Sequence, residues 1–142
     1  MPTVVTPTRR ALLLGAAGVL AAPRIAGAQP APIRLGILQP VTGALAQDGE
    51  YGRLGAEAAI TEINATGGIR SMGGAQIQMV FGDARSNPEG GTAEVERMHS
   101  EGVVAVVGGF ASPICLAASQ AASRYDLPYI VDVGVADTIA VS

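Results

Sequence analysis

The chain has 142 residues with nine arginines, no lysine, twelve acids, one histidine and one cysteine, for a formal charge of −3. The missing lysine excludes a Walker A, Schiff-base or kinase-type lysine. One cysteine excludes an internal disulfide, and one histidine with one cysteine cannot build an ordinary zinc site. The acidic balance removes the basic footprint of a nucleic-acid binder.

The amino end reads as an export signal. Arg9 and Arg10 precede an apolar run over residues 11–22, closed by Pro23 and Arg24. The small residues Ala26-Gly27-Ala28 follow as an A-x-A cleavage site. The arginine pair gives the signal a twin-arginine character. A membrane-spanning helix needs about 20 apolar residues, so this run is too short for an anchor. The reading is a cleaved signal over 1–28, a mature protein starting at Gln29, and a periplasmic location. The mature part carries six arginines against twelve acids, a formal charge of −6.

Residues 29–32 form a Pro/Ala linker. The apolar run 33–38 predicts a first strand, and 39–47, with Pro40 and Gly43, a loop. A helix is predicted over 51–64, with Leu54, Ala58, Thr61 and Ala65 on one stripe flanked by Ile60 and Ile63. Gly67-Gly68 stops it. Residues 75–81 alternate, with Ile77, Met79 and Phe81 on one side and Gln76 and Gln78 on the other, which predicts a second strand. A loop spans 82–87. Asn87-Pro88-Glu89 then opens a helix, with Asn as cap, Pro in the first turn and Glu at the positive end. That helix runs to about residue 100, and Glu101-Gly102 ends it. The all-apolar 103–107 predicts a strand buried on both faces. Gly108-Gly109 makes a tight exit. Ser112-Pro113 starts a third helix, ending near residue 125, and 128–133 is the fourth strand.

The order β-α-β-α-β-α-β predicts an α/β fold with a doubly wound parallel sheet. Ligands of such sheets bind at the carboxyl ends of the strands. Those ends are the loops 39–50, 82–87, 108–112 and 132–137.

The run from Gly108 to Pro113 is the leading site candidate. Its glycines let backbone approach a ligand closely, and a helix start offers amides and a positive dipole end to a carboxylate. The structural alternative is that Ser112 simply caps its helix. Gly-x-Ser-x-Gly, the nucleophile elbow, is not matched, because Pro113 and Ile114 follow the serine. Asp83, Asp132 and Asp137 fall in strand-end loops, where acids either hold a ligand amine or ion or, more commonly, cap turns. Cys115 reads as a small buried hydrophobe, and His99 suits the negative end of its helix. An exported α/β hydrolase would need a nucleophile–base pair, which one histidine and no lysine do not supply. The reading is not an enzyme, and no cofactor or metal is implied.

Several phrases share an order and spacing with a known family: 33–38 (Ile-Arg-Leu-Gly-Ile-Leu), 42–47 (Thr-Gly-Ala-Leu-Ala-Gln), 55–60, Glu62-Ile63-Asn64, Gly67-Gly68-Ile69, Asp83-Ala84, Asn87-Pro88, Val106-Val107-Gly108-Gly109 and Ser112. Behind an export signal, this resembles the start of the periplasmic branched-chain amino-acid-binding family, the type I solute-binding proteins of ABC importers. The resemblance implies two α/β lobes closing on a small solute, delivery to a membrane permease, and a monomer at full length. Residues 33–142 would be a partial N-terminal lobe, with the last strand an unpaired edge and weak solute binding by this piece alone.

By the same resemblance, Ala111 and Ser112 at the third helix and Val133, Gly134 and Val135 after the fourth strand would hold the carboxylate and ammonium of an amino acid. Asp48 stands where an aromatic often lies in the first loop. Val135 replaces the threonine of leucine-binding members, and Arg85 and Ala111 stand where some members form a disulfide. The ligand class therefore extends to amides, urea and other carboxylates. A ligand-binding sensor or receptor domain of the same fold is the alternative.

Overall fold

The computed structural model of the chain describes residues 30–139. The export signal read over 1–28 lies outside the described residues. Seven principal elements follow one another: β1 (Ile33–Gln39), α1 (Ala46–Ala65), β2 (Ile77–Asp83), α2 (Pro88–Ser100), β3 (Ala105–Gly108), α3 (Ser112–Ser123) and β4 (Tyr129–Val131). Short 3-10 turns lie at Arg70–Met72 and Asp137–Ile139.

The strands form one parallel sheet in the order β2-β1-β3-β4. Leu38 pairs with Gly82 on one side and Gly108 on the other. The chain steps outward from β1 to β2, then crosses back to β3. Right-handed crossovers therefore put α1 on one face and α2 and α3 on the other. The reversal falls between β1 and β3, and this switch point is where such sheets bind ligands.

The core lies between the sheet and the α2–α3 layer. Leu38, Val95, Met98, Val106 and Ile114 are essentially sealed from solvent. The start of α2 follows its sequence: Asn87 Oδ1 accepts from the Gly90 amide at 2.7 Å, and Pro88 takes the first turn. At its other end His99 stacks on Tyr125, with ring centroids 4.1 Å apart. The Gly67-Gly68 stop also forms, with the Gly68 amide donating to Ile63 O at 2.9 Å.

Helix α1 departs from expectation in two ways. It begins at Ala46 rather than residue 51, so Asp48 lies in its first turn and not in a loop. The stripe of Leu54, Ala58, Thr61 and Ala65 faces solvent, with Leu54 47% exposed. The opposite face, Gly49, Gly52, Ala56, Ile60 and Ile63, meets the sheet. The cause is steric. Gly49 sits on the Pro40 carbonyl, where any Cβ would overlap it, and Gly52 sits on the Gln39 amide. A close helix–strand approach selects the glycine face over the leucine face.

Strand limits also shift. β2 extends two residues further than read, to Asp83, and β3 runs Ala105–Gly108 rather than 103–107. Val104 is largely exposed, so the start of that apolar run is not buried on both faces. β4 is shorter than read and forms an edge among the described residues, with Ile130 55% exposed.

Candidate functional site

All four strands point their carboxyl ends the same way, and the four loops expected to bind ligand share that edge. They divide into two halves.

Over β1 and β2, side chains are consumed locally. Asp83 Oδ1 accepts from the amides of Val41 (3.0 Å) and Arg85 (2.8 Å), and its Oδ2 accepts from the Thr42 hydroxyl (2.6 Å). Partial burial pushes the Asp83 carboxyl up, but these donors outweigh it and hold it below its ordinary value. Ser86 Oγ accepts from the Leu45 amide and donates to Thr42 O. Asp83 is thus a loop clasp, the structural one of its two readings.

Over β3 and β4 the bend of the backbone sets the site, although the β1–β2 loops also hold positive φ at Gly43, Arg85 and Ser86. Gly108, Gly109 and Phe110 all have positive φ, at 127°, 105° and 56°. A Cβ on Gly108 would overlap the Leu38 carbonyl. Below them, the Tyr129 hydroxyl donates to Gly108 O at 2.9 Å, and the buried Cys115 thiol lies 3.7 Å from the same oxygen. Burial pushes both the Tyr129 phenol and the Cys115 thiol up, so both stay protonated near neutral pH.

The bend delivers the chain to α3. Its N-cap is Ala111, which offers no side-chain cap. The cap reading of Ser112 is therefore corrected: Ser112 is the first helical residue, and its Oγ accepts from the Val135 amide at 3.2 Å. The hydroxyl proton remains to be donated, and first-turn amides of α3 have no side-chain partner. Asp132 ties the two loops. Its Oδ1 accepts from the amides of Phe110 (3.2 Å) and Val133 (2.8 Å), and its Oδ2 accepts from Gln39 Nε2 at 2.5 Å.

The structure therefore brings Ala111, Ser112 and Val135 together, with Val133 joined through Asp132 and Gly134 packed on Cys115. Asp48 sits apart, exposed in the first turn of the helix over β1 and β2. An open depression of about 400 Å³ lies beside the loop, lined by Ser119, Tyr129, Val131 and Ile139 and by Gly134 and Val135. Gln39 carries almost no signal in the sequence, only that of a lone polar residue closing the apolar run 33–38.

A family model described as periplasmic binding protein matches residues 32–140. The chain belongs to the periplasmic binding protein family. Its relatives include Leu/Ile/Val-binding protein homolog 8 of Brucella abortus, 37% identical over 130 residues, covering 90% of this chain and 31% of the relative. Homolog 7 of Brucella melitensis is 41% identical over 118 residues, covering 81% and 29%. The chain thus spans about three tenths of the length of the relatives it matches. Among solved structures it resembles the branched-chain amino acid transporter substrate binding protein LivJ of Streptococcus pneumoniae in complex with isoleucine. The TM-score is 0.71 at 31% identity, covering 76% of this chain and 30% of that one. A solute binding protein of Rhodopseudomonas palustris in complex with 3,4-dihydroxy benzoic acid shares the fold, with a TM-score of 0.64 at 19% identity over 76% of this chain and 29% of that one. Members of this periplasmic family bind solutes rather than transform them, and the family places the protein outside the cytoplasm.

Proposed function

We propose that the full-length protein is the solute-binding component of an ABC importer. It captures an amino acid or a related amide, urea or carboxylate and hands it to a membrane permease. The observation that carries this reading is the uncapped amino end of α3, with the Ser112 hydroxyl turned toward the Val135 amide. That end offers a hydroxyl proton, free backbone amides and a positive dipole, the equipment for a carboxylate. Ala111, Ser112, Val133, Gly134 and Val135 form this half of the cleft, and Asp48 contributes from the other half, in the first turn of α1. Carbonyls of the 133–135 loop accept from the solute's other polar end, since Val135 has no hydroxyl to do so. In the full-length protein a second lobe, joined by a hinge, closes over the solute. The solute leaves unchanged, so the protein is not an enzyme, and it works as a monomer. Residues 1–28 are removed on export by the twin-arginine route.

Calorimetry on the purified full-length protein tests this with isoleucine, leucine, valine, acetamide, urea and 3,4-dihydroxybenzoate. The expected result is saturable one-to-one binding of at least one, with the compound recovered intact. No binding across the panel, or conversion of the compound, overturns the reading. Sequencing the amino end of the exported protein should find Gln29 first.

A further inference from the structure

We propose that Gln39 and Asp132 are positioning residues, a strut that sets the distance between the two loops of the solute site. The inference rests on the solute-binding reading above. Gln39 ends β1 beside the switch point and is 3% exposed. Two glycines make its room: its amide carbon lies 2.7 Å from where a Gly52 Cβ would stand, and its Nε2 lies 3.1 Å from where a Gly108 Cβ would stand. The amide reaches across 93 residues of sequence to Asp132 Oδ2. An ionised carboxylate only accepts, so the Gln39 nitrogen must face it. Gln39 Oε1 is then buried without a hydrogen-bond partner. An unpaired buried acceptor destabilises a fold, and leucine in this space would avoid that cost. Glutamine here is explained by what its nitrogen holds.

What it holds is the hub of the site. Asp132 Oδ1 takes the Phe110 and Val133 amides, one from each loop. Phe110 has φ 56°, a left-handed conformation that a bulky residue adopts only when its surroundings enforce it. The strut thus runs from the centre of the sheet through Gln39 and Asp132 to the strained residue two places before Ser112 and to the residue two places before Val135. Supporting groups of this kind preorganise a binding site and act on affinity more than on fold stability.

The test uses the full-length protein with Gln39→Leu, Asp132→Ala and Asp132→Asn. Three quantities are read: affinity for isoleucine, acetamide and 3,4-dihydroxybenzoate, hydrogen exchange at the Phe110 and Val133 amides, and melting temperature. Gln39→Leu and Asp132→Ala should weaken binding by about tenfold or more and speed exchange at those two amides. Gln39→Leu should melt no lower than the native protein. Asp132→Asn should stay within about threefold, because its Oδ1 still accepts both amides and its Nδ2 can donate to a turned Gln39 Oε1. Native affinity or native exchange in Gln39→Leu overturns the strut. So does an Asp132→Asn as weak as Asp132→Ala, since the charge would then act on the solute directly. If the native protein binds none of the three probes, the solute-binding reading has failed separately, and the exchange measurement alone decides the strut.

Discussion

The two halves of the sheet's carboxyl edge carry the same kinds of residue and use them oppositely. Over β1 and β2, Asp83 and Ser86 spend their oxygens on loop amides and the Thr42 side chain and carbonyl. Over β3 and β4, the chain is bent through three positive-φ residues onto a helix end with no side-chain cap. Val133 and Val135 there are 50% and 89% exposed. A strand-end Asp followed by a short loop looks alike in both places. The difference is in what is tied: Asp83 and Ser86 fasten the first half within residues 41–45 and 83–87, whereas Asp132 and Ser112 tie the two loops of the second half to each other and leave the first turn of α3 without a side-chain cap. The first is a fastening, and the second is the surface we propose for the solute.

The largest way to break this contrast is Gly108→Val. It puts a β-branched side chain at φ 127° and into the Leu38 carbonyl. The expected loss is about 3 kcal/mol or more, read as a lower urea midpoint. Asp83→Ala should follow, at about 2 kcal/mol, because it removes the shared acceptor of the Val41 and Arg85 amides and of the Thr42 hydroxyl. Solute affinity should change far less than stability in that variant.

The pH dependence of Asp83 sharpens the same point. Its carboxyl is held below its ordinary 3.8 in the folded state. Its stabilisation is therefore complete above the unfolded value and lost as pH falls through the folded one. Between about pH 5 and pH 2, Asp83→Asn should lose less stability than the native protein, measured by urea unfolding at each pH. The smallest effect is expected on the exposed face of α1. Leu54→Gln should shift stability by no more than about 0.5 kcal/mol, whereas Gly49→Ala should cost far more, because its Cβ meets the Pro40 carbonyl.

That last pair also shows what the sequence could and could not convey. The alternation of apolar runs and helical segments gave the doubly wound parallel sheet, and Asn87-Pro88-Glu89 gave the start of α2 almost to the residue. Hydrophobic periodicity chose the wrong face of α1, because Gly49 and Gly52 carry no apolar signal and act by being small. Ser112-Pro113 read as a cap followed by a first-turn proline. The cap moved to Ala111 because the Ser112 oxygen is taken by the Val135 amide, 23 residues on. Gln39–Asp132 was illegible for the same reason: a bond across 93 residues leaves no local pattern. Asp48 was placed by resemblance to a loop position, and helix α1 simply starts earlier.

The central claim is that solute is held at the β3–β4 half of the edge. Amide chemical shifts of the full-length protein, titrated with the panel compound that binds in calorimetry, test it without altering a residue. The account predicts the main shifts at Ser112, Ile114 and Val135, with Val41, Thr42 and Arg85 nearly still. Shifts centred on 41–45 and 83–87, with the amides of α3 unmoved, would contradict it.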